Sequence, residues 1–208
     1  MKKILLYVII ALLVGGGIFY FTHKNFVLGR VGMTFTNKPV AAETTDSVGN
    51  VTKDGKRVLV AYYSWGGNTR RLALAIHKKV GGDIVEIRPA NQYPEGYKGT
   101  VKAAKLELDS GKLPEIKVTK LNMSDYDTIL LGYPIWYYRE PLLIESFLRQ
   151  IDTNGKTILI FATSGGSPVD PSIATVSKAA PKAKIGDAIL ANDSSLIEPW
   201  LKKNGLMK

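Results

Sequence analysis

Three short stretches of this 208-residue chain carry residue types that can hold a ligand. The first is Ser64-Trp65-Gly66-Gly67-Asn68-Thr69. Its glycines let the backbone come close to an anion. If a helix starts here, the free N–H groups of its first turn face the ligand with the positive end of the dipole, and Asn68 or Thr69 can cap it. That combination suits a phosphate. The stretch is not a P-loop, since no Gly-Lys-Ser/Thr follows, and it lacks the Gly-x-Gly-x-x-Gly dinucleotide fingerprint. The second stretch, Tyr133-Pro134-Ile135-Trp136-Tyr137-Tyr138, offers large flat side chains. The third, Thr163-Ser164-Gly165-Gly166-Ser167, offers glycines against which a planar ring can lie. Each has a plainer reading: a strand-to-helix turn, core packing or a partner surface around Trp136, and an ordinary turn.

The elements around these stretches put them at one edge. Val58 to Tyr63 is an apolar, β-branched and aromatic run that suits a strand buried on both faces. Leu72, Ala73, Ile76 and Val80 then fall on one helical face. Asp83 to Arg88 reads as a second strand stopped by Pro89, and Tyr97, Val101, Ala104 and Leu108 as a helix closed by Gly111 and Pro114. Thr128 to Gly132 and Thr157 to Ala162 are further buried strands, with a helix marked by Leu143, Ile144, Phe147 and Leu148 between them. Pro171 to Ala180 is a weaker helix, Ile185 to Leu190 an edge strand, and Leu196, Ile197, Trp200 and Leu201 a last helix. Strands alternating with helices predict an α/β fold, a doubly wound five-stranded parallel sheet. Ligands of such sheets bind outside the carboxyl ends of the strands, at the switch point, which is where the three stretches fall. A phosphate plus a large planar group describes flavin mononucleotide, FMN.

The chain from Arg57 to about Asn204 resembles the flavodoxin-like superfamily. It is most similar to the branch of small FMN proteins with a Gly-Tyr-Pro-Ile-Trp loop, here Gly132 to Trp136. The resemblance implies a sheet in the order 2-1-3-4-5, non-covalent FMN and a redox role. It assigns the phosphate to Ser64, Trp65, Gly66, Gly67, Asn68 and Thr69. It assigns the two sides of the isoalloxazine ring to Pro134, Ile135, Trp136 and Tyr137, and to Ser164, Gly165 and Gly166. One departure is Gly66, where the family usually has threonine. Loss of one charge-assisted hydrogen bond weakens binding by about 1.5–3 kcal/mol unless Arg70 or the Trp65 indole replaces it. A second is charge, since many flavodoxins are acidic and residues 57 to 208 carry more Lys and Arg than Asp and Glu.

Composition bounds the rest. With 45% hydrophobic and 22% charged residues, the chain has a globular make-up. No cysteine is present, which excludes disulfides, thiolate nucleophiles and Cys-ligated metals or iron–sulfur clusters. His23 and His77 are isolated, with His77 expected on a solvated helix face, so no metal site or His-dependent triad is expected. The net charge of +10 reads first as a basic, soluble surface; attraction to an anionic membrane surface or to an acidic redox partner is the sharper reading, and no nucleic-acid motif accompanies it.

Ile4 to Phe21 is an uncharged apolar run, about 27 Å long as a helix and long enough to cross a hydrocarbon core. The apolar run resumes after Gly15-Gly16-Gly17, so an uncleaved single-pass anchor over residues 1–21 is expected rather than a signal peptide. Lys2 and Lys3 favour a cytoplasmic amino terminus and an extracytoplasmic domain. Residues 22–56 read as a linker and 57–208 as the flavodoxin-like domain. The expected activity is that of a membrane-tethered FMN oxidoreductase passing electrons from NAD(P)H to a quinone. The alternatives are a carrier between protein partners and a flavin-free binding module. No side chain reads as a convincing acid or base, Tyr137 and Tyr138 being the nearest.

Overall fold

The computed structural model describes Gly55 and residues 57–207. The expected anchor lies outside them, as does all of the expected linker except Gly55. Among the described residues no helix is long and apolar enough to cross a membrane.

Five strands form a parallel sheet: β1 (Val58–Tyr62), β2 (Asp83–Glu86), β5 (Thr128–Pro134), β6 (Thr157–Thr163) and β7 (Lys184–Leu190). Their order is β2-β1-β5-β6-β7, which is the 2-1-3-4-5 order the resemblance implies. The chain winds from β1 to β2 on one side and from β5 onward on the other, so the switch point lies between β1 and β5. Their register pairs Val58 with Thr128 and Tyr62 with Gly132.

Alternate side chains of a strand face opposite sides, and here both sides are covered. Leu59, Ala61, Ile129, Leu131, Ile158 and Ile160 join one core with α3 (Leu142–Gln150) and α4 (Asp170–Ala179). Val58, Val60, Leu130, Leu159 and Phe161 join the other with α1 (Asn68–Val80) and α5 (Ile197–Lys203). This is why the central strands read as unbroken apolar runs. Gly132 is required where it stands: a Cβ there would lie 2.2 Å from the Phe161 ring.

Helix α2 (Tyr97–Ser110) buries only Thr100 and Ala104, and Leu106 is exposed. The second strand ends sooner than expected. Ile87 N–H makes its last bond, to the Tyr62 carbonyl, where β1 stops. Arg88–Pro89, as β3, then pairs antiparallel with β4 (Ile116–Lys117) in a separate two-stranded ribbon. Leu196 is exposed and sits in a 3₁₀ turn before α5, not on its buried face. His77 is half-buried, its Nε2 2.9 Å from the Gly82 carbonyl oxygen.

Candidate functional site

The first loop leaves β1 at its carboxyl end. Ser64 Oγ accepts the Gly67 N–H at 3.1 Å, folding the loop back on itself. Gly67 takes the N-cap position with φ 87°, a left-handed conformation that glycine adopts without a Cβ clash. The first bond of α1 runs from Arg71 N–H to the Gly67 carbonyl at 3.0 Å. The amides of Asn68, Thr69 and Arg70 precede it and have no acceptor within the helix. No side chain caps α1, so the expected caps at Asn68 and Thr69 are not made. The reason is local: Asn68 is already helical, and the buried Thr69 hydroxyl lies 2.9 Å from that of Thr163. The first turn of α1 holds no acid, and its last holds His77, Lys78 and Lys79, so an anion at its amino end meets no repulsion from the helix.

Arg70, one of the two residues expected to replace the missing threonine hydroxyl, is an ion-pair partner of Glu86 at the end of β2. Arg88 grips the same carboxylate, with Nε to Oε2 at 2.9 Å. Trp65 is half-buried against the core.

The second loop continues from Pro134. Ile135 is buried and donates its N–H to the Thr163 carbonyl at 2.7 Å. Trp136 and Arg139 exchange backbone bonds of 2.9 and 3.1 Å around a tight turn. The two central residues, Tyr137 (φ 51°) and Tyr138 (φ 63°), are left-handed and exposed. Such turns ordinarily use Asn-Gly, and each bulky residue held there costs about 1–2 kcal/mol. Tyr137 Oη donates to the Val101 carbonyl of α2 at 3.1 Å. Trp136 is half-buried and meets Tyr63 and Tyr93 edge to face, with ring centroids 5.7 and 5.1 Å away. The Tyr93 hydroxyl donates to Glu107 at 2.8 Å, and burial raises the Glu107 carboxyl above its ordinary pKa.

The third loop is held by Ser164 and Asn192. Ser164 Oγ accepts the N–H groups of Gly166 (3.0 Å) and Ser167 (2.7 Å). The Asn192 amide binds the Ser164 backbone twice, accepting its N–H at 2.9 Å and donating to its carbonyl at 2.7 Å. Gly165 and Gly166 are exposed, and a Cβ on either would meet nothing within 4 Å.

Thr163 joins all three loops, through its hydroxyl to Thr69, its carbonyl to Ile135 and its chain to Ser164. Every residue expected at the site thus lies on one of three loops, or on the strand end or helix start adjoining it, at the carboxyl edge of β1, β5 and β6. Two further residues support them, Asn192 and Glu140. Asn192 lies two residues beyond β7, the edge position from which a side chain reaches the neighbouring loop. Glu140 is wholly buried beside the aromatic turn, and burial raises its carboxyl above its ordinary pKa.

Sequence and structure comparisons show what the fold is similar to. A crystallised Bacteroides eggerthii protein described as a flavoprotein is 34% identical, with a TM-score of 0.64 over 70% of this chain and 96% of that one. A Lactobacillus acidophilus flavoprotein crystallised with FMN is 24% identical and matches in fold, with a TM-score of 0.62 over 70% of this chain and 98% of that one. Flavodoxin 1 of Escherichia coli is 29% identical over 99 residues, 46% of this chain. The match spans only 42% of that protein's length, less than half of it. The family model described as Flavodoxin matches residues 57–204, which contain the sheet and all three loops, and the chain belongs to the flavodoxin family.

Proposed function

We propose that the chain binds FMN at the three loops and serves in electron transfer. The observation that carries this is the joining of the loops at Thr163, which sets unpaired helix amides, exposed glycines and aromatic side chains at one switch point. The amides of Asn68, Thr69 and Arg70 suit a phosphate dianion, aided by the positive end of α1. The open backbone at Gly165 and Gly166 and the turn at Trp136 and Tyr137 suit the two sides of a planar ring. Bound FMN supplies the redox chemistry; the protein supplies orientation, exclusion of water and electrostatics.

Two finer readings go with this. NAD(P)H is the electron donor and a quinone the acceptor, unless a redox protein takes either place. The apolar run Ile4–Phe21 tethers the domain to a membrane and brings a lipid-soluble acceptor close.

Titration of the purified chain with FMN and with riboflavin tests the core of the proposal. Riboflavin has the same ring and no phosphate. Each buried donor left unpaired costs about 1–3 kcal/mol, so two of the three amides give FMN an advantage of roughly thirtyfold or more. Gly66→Thr should leave FMN affinity equal or improved. Equal affinity for the two flavins, or binding of neither, would reduce the first loop to a turn and end the flavin reading.

A further inference from the structure

Glu140 has no exposed surface, yet it is a carboxyl next to the site. Its Oε1 accepts from Arg139 Nη2 at 2.9 Å, and its Oε2 accepts from the Thr175 hydroxyl of α4. The same Arg139 nitrogen reaches Glu145 Oε2 at 3.0 Å, and Arg149 pairs with the other oxygen of Glu145 at 2.7 Å. Arg139 Nε is buried with no partner. A fully desolvated carboxyl and an orphaned donor are a poor way to stabilise a fold, since apolar residues of similar volume usually serve as well or better. What such a cluster can fix is one conformation among several.

The conformation that needs fixing is next in sequence. Arg139 closes the turn whose central residues, Tyr137 and Tyr138, are left-handed and carry no glycine or asparagine. Two backbone bonds hold the turn itself. The cluster holds its carboxyl-terminal side: Arg139 by its guanidinium, and Glu140 by a bond to α4, the helix that continues from the Ser164–Ser167 loop. The two ring-side loops are therefore linked through Glu140 and Thr175 as well as through Thr163.

We propose that Glu140 is a positioning residue for the flavin site, clamping the Trp136–Arg139 turn in its left-handed form and in register with the Ser164–Ser167 loop. This rests on the proposed FMN site for its consequence, but not for its test on the turn itself. Without the clamp the turn relaxes toward right-handed backbone, and Tyr137 leaves the Val101 carbonyl.

The test compares wild type, Glu140→Leu and Glu140→Gln, each also in a Tyr138→Gly background, where glycine removes the strain at position 138. Backbone NMR couplings of residues 137 and 138 read the turn without FMN. FMN titration and the visible circular dichroism of bound flavin read the site. Glu140→Leu should keep the melting temperature within a few degrees of wild type. It should nevertheless shift the couplings at 137 and 138, lower FMN affinity at least tenfold and change the flavin signal. Glu140→Gln, which retains the shape, should lose less. In the Tyr138→Gly background the effect of Glu140→Leu should fall below threefold. Should Glu140→Leu not fold, Glu140→Gln and Thr175→Val carry the comparison. Unchanged couplings in every Glu140 and Thr175 variant would overturn the clamp whether or not FMN binds. So would an equal loss of affinity in both backgrounds. Shifted couplings in a protein that binds no flavin would sustain the clamp and refute the proposed function alone.

Discussion

Truncating Trp136 separates its packing in the protein from its proposed contact with the flavin. Trp136 meets Tyr63 and Tyr93 edge to face at 5.7 and 5.1 Å. Such pairs contribute about 0.5–1.5 kcal/mol each beyond area burial. Removing a fully buried Trp side chain costs about 3–5 kcal/mol, and Trp136 is half-buried, so its packing contributes on the order of 2 kcal/mol. Allowing for overlap, Trp136→Ala should destabilise the flavin-free protein by about 3 kcal/mol, or roughly 6–12 °C in melting temperature for a domain of this size. Contact with the flavin is a separate quantity. A ring stacked on an aromatic contributes about 1–3 kcal/mol in the analogous nucleic-acid case, giving a roughly five- to 150-fold loss of FMN affinity. The assay is thermal melting without FMN, followed by FMN titration and flavin fluorescence at 25 °C, where the variant is still folded. A lower melting temperature with unchanged affinity and quenching would make Trp136 a core residue only. An unchanged melting temperature would refute the packing argument.

Two other expectations concern pH and the membrane. Burial raises the carboxyls of Glu140 and Glu107 above their ordinary value of 4.5, so the folded chain keeps protons that the unfolded chain has released. Their contribution to stability is present below pH 4.5 and lost as the pH rises through the raised values, so Glu140→Leu should gain on wild type over that range in denaturant titrations. The full chain should stay in the membrane fraction through a carbonate wash, and a mature amino terminus found downstream of Phe21 would overturn the tether.

The sheet was legible because its central strands are buried on both faces. Val58 to Tyr62 and Thr157 to Ala162 contain no polar alternation to mislead, and a parallel sheet covered on both sides buries such runs completely. Ends were less legible, since a strand stops where its neighbour stops. The residue pattern of Asp83–Arg88 does not reveal that β1 offers no partner beyond Ile87. The loops were legible in the same local way, from glycines and hydroxyls after apolar runs. Which hydroxyl does what was not. Ser64 and Ser164 each accept backbone N–H groups of their own loops, a role that competes with ligand binding and depends on turn geometry.

What sequence concealed most is the support behind the loops, and the concealment has one cause. Nothing local in Arg139-Glu140-Pro141 marks a buried side chain, and only the position of Thr175, thirty-five residues on, shows that the Glu140 carboxyl is buried. The Tyr137-Tyr138 turn carries none of the residues that announce a left-handed backbone, so tertiary contacts must impose it. A turn written with Asn-Gly would hold its shape alone but would present no aromatic surface to a ring. A turn written with two tyrosines presents that surface and needs an external hold. The strained turn and the buried carboxyl beside it are then two parts of one proposed arrangement: Tyr137 and Tyr138 lack the local propensity for their conformation, and Glu140 and Thr175 would supply from the interior what that propensity would have supplied.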